Sequence, residues 1–213
     1  MKTLLVSYTP RNERSKSKTL FETFRAGIRN SEIEELDLCR SIPDLFTPER
    51  VEAYHARNMQ RRALSGQEEE SLAGMLRMTA QLKAADVVAL SFPMFNFSLP
   101  AIVKAWFDSV LHVGETIDPT GGKYQGMMSG KRALIIATSG GIYSVGNGVG
   151  PHFGPRWEHA VSLARCEFEF MGYSEIRAVL AEGMAMGDPN KAGENLEGAK
   201  LELRSIANSW YPQ

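Results

Sequence analysis

The chain has 213 residues and a formal net charge of −1, and it contains two cysteines. This length favours one domain over residues 1–213, and two cysteines do not predict a disulfide framework. Without an excess of basic residues, we expect no nucleic-acid or membrane partner. The N-terminal apolar run is too short for a signal sequence, and no run approaches the roughly 18 apolar residues of a membrane-spanning helix. We therefore expect a soluble, cytoplasmic protein.

Short β-rich segments alternate with segments of helical spacing along the chain. The predicted strands cover residues 3–8, 32–38, 86–92, 132–138 and 175–180. The predicted helices cover residues 17–29, 68–85, 100–113, 157–171 and 191–210. Three strands contain the continuous apolar runs LLV, VVAL and ALIIA, which are typical of strands covered on both faces. This pattern predicts an α/β fold, an open, doubly wound parallel sheet with helices on both faces. Five strands favour the order 2-1-3-4-5 over a six-stranded dinucleotide-binding fold.

Two stretches do not fit the alternation of strands and helices. Residues 40–67 are longer than an ordinary connection, so we predict an excursion after strand 2 with a short helix from about Pro48, capped by Thr47. Residues 116–129 contain the turn-forming sequence DPTGG and predict an irregular loop or a hairpin.

The loops after strands 1, 3 and 4 are expected to meet at one edge of the sheet, where open α/β folds bind ligands. The first loop, residues 9–19, has neither a dinucleotide fingerprint nor a P-loop. It has serines where helix 1 should begin, surrounded by basic residues: Ser15 and Ser17, with Arg11, Arg14, Lys16 and Lys18. A helix N-terminus with such residues is suited to a phosphate. The alternative is a capped helix with a solvated basic face.

The second loop carries the sequence SFPMFNFSLP, which places Met94, Phe95 and Phe97 around Asn96. These apolar side chains are suited to wall a planar heterocycle, with backbone groups near Asn96 addressing its edge. The alternative is that they only close the end of the sheet.

The third loop, TSGGIYS, contains Gly140 and Gly141, which allow a close approach of backbone to a ligand, and Tyr143, which offers a flat face. A plain glycine turn is the alternative.

Four segments of the chain resemble the FMN-dependent NADH:quinone reductases and azoreductases. PMFNFSLPAIVKAWFDSVLHVGETI (93–117) resembles their isoalloxazine-binding segment, and the spacing of Ser15, Lys16 and Ser17 after strand 1 is similar to their phosphate loop. TSGGIYS resembles their third flavin-contacting loop, and LAEGMAMG (180–187) resembles the end of their fifth strand. The resemblance spans nearly the whole chain and implies a flavodoxin-like fold.

The chain departs from this family at two places. Many relatives carry an extra residue, often arginine, between the equivalents of Ser139 and Gly140, and this chain lacks it. The segment VGNGVGPHFGPRW (145–157) is also unlike the family. Both lie where the substrate is expected to bind, so they put the preferred acceptor in question more than the binding of FMN.

The resemblance implies FMN as cofactor and NADH or NADPH as electron donor. It implies phosphate contacts from Thr9, Arg11, Ser15, Lys16 and Ser17, ring contacts from Pro93, Met94, Phe95, Asn96 and Phe97, and pyrimidine contacts from Ser139, Gly140 and Gly141. The Asn96 backbone N–H is expected near flavin N5, and the Gly140 and Gly141 donors near N1 and O2, where reduction places negative charge. Tyr143 is the candidate for orienting or protonating the acceptor.

The implied reaction is a ping-pong transfer, in which a hydride passes from the nicotinamide to flavin N5 and two electrons then pass to a quinone, azo or nitro compound. The family also implies a homodimer with the site at the subunit boundary. Trp106, Phe107 and Leu111 either face that partner or pack on the sheet. The histidines and cysteines show no metal-binding spacing, and Ser139 is not in a GxSxG elbow.

Three other functions stay open at the level of sequence. A flavodoxin-type electron carrier would bind FMN without oxidising nicotinamide, although such carriers tend to be strongly acidic. An NAD(P)H:flavin reductase would supply free reduced flavin to a partner monooxygenase. A flavin-free α/β binding module would ignore FMN altogether.

Overall fold

The computed structural model describes residues 1–120, 122–149 and 151–212, with the backbone alone at 120 and 147–149. Gly121 and Gly150, which belong to the predicted irregular stretch 116–129 and to the segment 145–157, lie outside the described residues.

The strands and helices follow the predicted alternation. The strands are β1 Lys2–Ser7, β2 Glu32–Asp37, β3 Val87–Pro93, β4 Ile117–Thr120, β5 Lys123–Gly126, β6 Arg132–Thr138, β7 Gly146–Val149, β8 His152–Phe153 and β9 Glu175–Ala181. The helices are α1 Lys16–Arg25, α2 Pro48–Asn58, α3 Gly66–Ala84, α4 Ala101–Val110, α5 Ala160–Phe170 and α6 Pro189–Trp210.

The main sheet has five parallel strands in the order β2-β1-β3-β6-β9. Counted among these strands alone, this is the predicted order 2-1-3-4-5, and the prediction is confirmed. Chain order reverses between β1 and β3, so the loops that follow these two strands leave the sheet side by side at its carboxyl edge.

Alternate side chains of each strand point to opposite faces of the sheet, and both faces are covered by helices. Leu4 and Val6 belong to a core shared with α3, α4 and α5, whereas Leu5 between them belongs to a core shared with α1 and α6. Burial on both faces explains why the strands read as unbroken apolar runs. Trp106 and Phe107 are fully buried in the first of these cores, so they pack on the sheet and do not face a partner.

The excursion and the irregular stretch have local structure. Helix α2 begins at Pro48, and the Thr47 side chain accepts a hydrogen bond from the Arg50 backbone N–H (3.4 Å), as predicted for a capping threonine. Ala53 of α2 packs against Leu72 and Met75 of α3. Within 116–129, β4 and β5 form an antiparallel hairpin.

Some element ends differ from the prediction. Helix α1 ends at Arg25 rather than residue 29, and Gly27 just beyond it lies so close to α6 that a Cβ there would be 2.6 Å from the Ala207 Cβ. Helix α5 begins at Ala160 rather than residue 157, after a 3-10 turn at Pro155–Trp157. The hairpin of β7 and β8 was not predicted. None of the helices within the described ranges is long and apolar enough to cross a membrane.

Candidate functional site

The first loop ends in a helix start whose backbone donors are free. Ser15 caps α1, its Oγ accepting from the Lys18 backbone N–H (3.4 Å) and lying 2.8 Å from the Ser17 Oγ. The backbone N–H groups of Lys16 and Ser17 bond to no described residue. Two free N–H groups at the positive end of a helix dipole favour a bound anion.

The cations at this helix start are only partly neutralised. Lys18 is ion-paired with Glu13. Arg11, Arg14 and Lys16 have no ion pair with any residue that the structure describes. A cluster of uncompensated positive charge beside free N–H groups is suited to a phosphate dianion.

The second loop turns back on itself after β3. Phe95 and Ser98 exchange two backbone hydrogen bonds of 3.0 Å. Between them Asn96 has φ +47° and Phe97 has φ +70°, the pattern of a type I′ turn. A positive φ is unusual for a bulky side chain and costs on the order of 1–3 kcal/mol. The turn leaves the N–H groups of Asn96 and Phe97 without a described partner, on an exposed tip.

The third loop has its carbonyl groups bonded and two of its N–H groups free. The turn after β9 donates four backbone hydrogen bonds to it: Gly183 to the Gly141 carbonyl (2.9 Å), Met184 to the Ser139 carbonyl (2.9 Å), and both Ala185 (3.2 Å) and Met186 (2.8 Å) to the Gly140 carbonyl. No described residue accepts from the Gly140 or Gly141 N–H. The carbonyl groups of the loop are therefore held in place, and the Gly140 and Gly141 N–H groups remain available to a ligand.

A cavity of about 290 Å³ lies where the three loops meet. Its lining residues come from the ends of β1, β3, β6 and β9: Pro10, Arg11, Arg14, Ser15, Lys16, Pro93, Met94, Phe95, Thr138, Ser139, Gly140, Met184 and Ala185. Among the residues predicted from sequence, eight line it: Arg11, Ser15, Lys16, Pro93, Met94, Phe95, Ser139 and Gly140. The other six are not in its wall: Thr9, Ser17, Asn96, Phe97, Gly141 and Tyr143.

Thr9 and Ser17, near the two ends of the first loop, are buried. The Ser17 carbonyl accepts from the Ser91 Oγ (3.1 Å), which ties the start of α1 to β3. The Thr9 backbone hydrogen-bonds to the Cys39 thiol, whose pKa is nevertheless raised because burial is the larger effect. These contacts attach the first loop to neighbouring parts of the protein, Thr9 to Cys39 and Ser17 to β3.

Phe97 and Tyr143 belong to an aromatic cluster beside the cavity. Their partners are Phe153 and Trp157, with Phe97 5.5 Å from Phe153 and 5.2 Å from Trp157 between ring centroids. The Tyr143 ring stacks on Phe153 (5.2 Å, 18°). A Cβ added to Gly141 would lie 2.4 Å from the Phe153 ring, so only glycine allows this approach. Phe153 thus links the second loop to the third.

Burial raises the pKa of Tyr143, and the negative charges of Glu182 and Glu158 raise it further. Its hydroxyl is therefore protonated at neutral pH and available as a hydrogen-bond donor.

Some residues of the site were missed from sequence. Arg14 was noted only as part of the basic surroundings, and four further residues line the cavity without a signal of their own: Pro10, Thr138, Met184 and Ala185. The last two come from LAEGMAMG, which the resemblance marked as a strand end. Glu182 in that segment hydrogen-bonds to the third loop.

Titratable groups outside the loops include a buried histidine. His112 is buried against Tyr54 (5.0 Å between ring centroids), and burial, the larger effect, together with Arg57 lowers its pKa to about 4. Within the part of the chain that the structure describes, no group of three or more His, Cys, Asp or Glu residues is placed to hold a metal ion.

The edge therefore combines an anion site, an apolar wall and a row of free backbone donors on a five-stranded sheet of flavodoxin-like order. Comparison with known proteins gives a consistent result. A family model described as "Flavodoxin-like fold" matches residues 1–206. An FMN-dependent NADH:quinone oxidoreductase of Azospirillum brasilense is 29% identical over 97% of this chain and 98% of its own. One of Albidiferax ferrireducens is 32% identical over 89% of each chain.

A solved structure is also similar over almost the whole length. An FMN-dependent NADH-azoreductase from Bacillus anthracis, in complex with FMN, has a TM-score of 0.86 and 25% identity, covering 99% of both chains. The chain belongs to the flavodoxin-like family, and within it to the FMN-dependent NADH:quinone oxidoreductases.

The contact between Gly141 and Phe153 predicts a coupled pair of substitutions. Gly141→Ala should lower the free energy of unfolding by about 1–3 kcal/mol, because the new methyl group overlaps the Phe153 ring. In a Phe153→Ala background the same change should cost less, since the overlapping atoms are gone. Urea unfolding of the four proteins of the cycle measures the coupling. Equal costs in both backgrounds would contradict the contact.

Proposed function

We propose that the protein binds FMN in the edge cavity and uses NADH or NADPH to reduce quinones, with azo and nitro compounds as further acceptors. The observation that carries this proposal is the convergence of three sets of free backbone N–H groups on one edge of the sheet, at residues 16–17, 96–97 and 140–141. The names of the relatives support the cofactor, the donor and the first two acceptor classes.

We assign the phosphate of FMN to the start of α1. The free N–H groups of Lys16 and Ser17, the Ser15 Oγ and the unpaired cations Arg11 and Arg14 match the needs of a phosphate dianion. Thr9 and Ser17 are assigned to the same subsite as buried supports, with Lys16 reaching the phosphate directly.

We assign the isoalloxazine ring to the space between the second and third loops. Pro93, Met94 and Phe95 form the apolar wall, and the turn at Asn96 and Phe97 presents free N–H donors toward the N5 side.

The pyrimidine side of the ring is assigned to Ser139, Gly140 and Gly141 in the third loop. The two free glycine N–H groups are the donors for the N1 and O2 edge, where negative charge develops on reduction. The donors are held in place before the reaction, so little reorganisation is needed.

When bound, FMN supplies the two-electron chemistry, and the protein supplies binding, orientation and electrostatics. Nicotinamide donor and acceptor occupy the same exposed place in turn, which makes the kinetics ping-pong. Asn96 is assigned to the position nearest the reacting atom. Tyr143 is protonated, since burial raises its pKa, and we assign its hydroxyl to hydrogen-bond the acceptor.

Steady-state assays separate this proposal from its alternatives. The purified protein with FMN should oxidise NADH or NADPH continuously when benzoquinone is supplied, and rates at varied donor and quinone should give parallel double-reciprocal lines. A yellow protein without nicotinamide oxidation would indicate an electron carrier. Activity that depends on excess free flavin would indicate a flavin reductase, and a protein that binds no FMN would contradict the whole proposal.

Substitutions at the start of α1 test the phosphate assignment. Lys16→Ala combined with Ser17→Ala should raise the dissociation constant for FMN about 100-fold or more, because charge-assisted hydrogen bonds contribute about 1.5–3 kcal/mol each. Isothermal titration of the apoprotein measures this. Lys18→Ala is the control, since Lys18 is paired with Glu13 and is not in the cavity wall. Unchanged FMN affinity in the folded double variant would contradict the assignment.

We also propose that the protein is a homodimer. A groove of mixed lining lies between α2, α4 and α5. Its apolar side chains are Phe46, Tyr54, Leu111, Leu163 and Phe170, with Phe46 and Phe170 exposed by 38% and 41%, and its other lining residues are Lys104, Asp108, Cys166 and Glu167. A second copy that covers this groove would bury Phe46 and Phe170. The resemblance implies the homodimer, and the choice of this face is our own proposal. Trp106 and Phe107 take no part because they are buried in the core.

Phe170→Asp should shift the protein from dimer to monomer, because a charge in an apolar interface is left unpaired. Leu201→Asp, at a residue of α6 that is 62% exposed, is the control and should leave the dimer intact. Sedimentation velocity distinguishes the two species. A wild-type protein that sediments as a monomer would overturn the dimer.

We take residues 1–213 as one domain that includes 40–67 and 116–129, since α2 packs on α3. The free, exposed thiols of Cys39 and Cys166 fit a reducing compartment, and we propose the cytoplasm.

A further inference from the structure

Glu182 holds the far end of the third loop by its carboxylate. Its Oε1 accepts from the backbone N–H groups of Tyr143 (2.6 Å) and Ser144 (3.0 Å), and its Oε2 lies 3.2 Å from the same Ser144 nitrogen. The Glu182 carbonyl accepts from the Asn195 side chain (3.0 Å), which fixes its own position against α6. Glu182 is not part of the cavity wall.

The third loop is thereby anchored at both ends. The turn 183–186 binds the carbonyl groups of residues 139–141, and Glu182 binds the N–H groups of residues 143 and 144. The N–H groups of Gly140 and Gly141 lie between these anchors and have no described partner. Their direction depends on the anchors, since glycine itself restricts the backbone least.

A carboxylate is suited to this task because it accepts hydrogen bonds and donates none. One oxygen serves both N–H groups, so a glutamine at this position retains an acceptor for both. No Lys or Arg among the described residues forms an ion pair with Glu182. The described partners of its carboxylate are the backbone N–H groups of Tyr143 and Ser144.

We propose that Glu182 is a positioning residue that directs the Gly140 and Gly141 donors at the pyrimidine edge of FMN and so favours the reduced form of the cofactor over the oxidised form. This inference rests on the proposed function. Donors fixed at the edge where charge develops stabilise reduced FMN more than oxidised FMN. The negative charge of Glu182 has the opposite effect, because it disfavours an anion nearby.

Two matched pairs of proteins separate position from charge. Wild type and Glu182→Asp both carry the charge, but aspartate is one methylene shorter and withdraws the acceptor. Glu182→Gln and Glu182→Ala are both neutral, and only glutamine retains an acceptor for Tyr143 and Ser144. In each pair, the protein with the shorter side chain should lose about tenfold more affinity for reduced FMN than for oxidised FMN. This loss corresponds to a two-electron midpoint potential of the bound FMN that is about 30 mV lower.

Spectroelectrochemical titration of the FMN-loaded proteins measures the midpoint potential, and fluorescence titration of the apoproteins measures affinity for oxidised FMN. If Glu182→Ala does not fold, the comparison of wild type with Glu182→Asp still tests the inference. A purely structural role would weaken oxidised and reduced FMN equally and leave the potential unchanged within each pair, which would overturn the inference. A potential that depends only on the charge at residue 182 would also overturn it.

Glu158 provides the matched control. Its Oε1 accepts from the N–H groups of Ala160 and Val161 and its Oε2 from that of Ser162, the same arrangement at the start of α5. Glu158→Ala and Glu158→Gln should differ in thermal stability and agree in FMN potential. Wild-type protein that binds no FMN would overturn both the proposed function and this inference. FMN binding with equal potentials within both Glu182 pairs would overturn this inference alone.

Discussion

The site depends on how backbone hydrogen bonds are distributed where the parallel strands end. Inside the sheet the central strands β1, β3 and β6 are paired on both sides and covered on both faces, so their N–H and C=O groups are satisfied. At the carboxyl edge, the three loops bond several of their carbonyl groups within the protein, those of residues 139–141 among them, and leave selected N–H groups without a described partner, at 16–17, 96–97 and 140–141. A free donor is costly when buried and useful when it faces a polar ligand. The carboxyl edge of the sheet is thus suited to a ligand that offers hydrogen-bond acceptor atoms.

This arrangement is maintained by contacts that are distant in sequence. Phe97 is held at φ +70° and packs with the aromatic cluster, while Phe153 fills the space that a side chain at 141 would occupy. The hairpin of β7 and β8 that carries Phe153 pairs with Ile142 through two backbone hydrogen bonds (2.7 and 2.8 Å). This hairpin therefore supports the second and third loops directly.

The fold could be predicted from sequence because its signals are local. The β-rich segments, three of them with continuous apolar runs, predicted the five strands to within one or two residues, and Thr47 and Pro48 marked the start of α2. The three loops could be found once the strand order was inferred, whereas their detailed roles stay predictions. The support from Glu182 and Phe153 could not be foreseen, since each contact joins residues brought together only by the folded sheet.

The central claim is that three loops at one edge bind a single FMN by its phosphate, its ring and its pyrimidine side. A crystal structure of the protein in complex with FMN tests it most directly. The account predicts the phosphate against the Lys16 and Ser17 N–H groups and the ring between Phe95 and Gly140. FMN bound elsewhere, or an edge that excludes it at saturating concentration, would contradict the account.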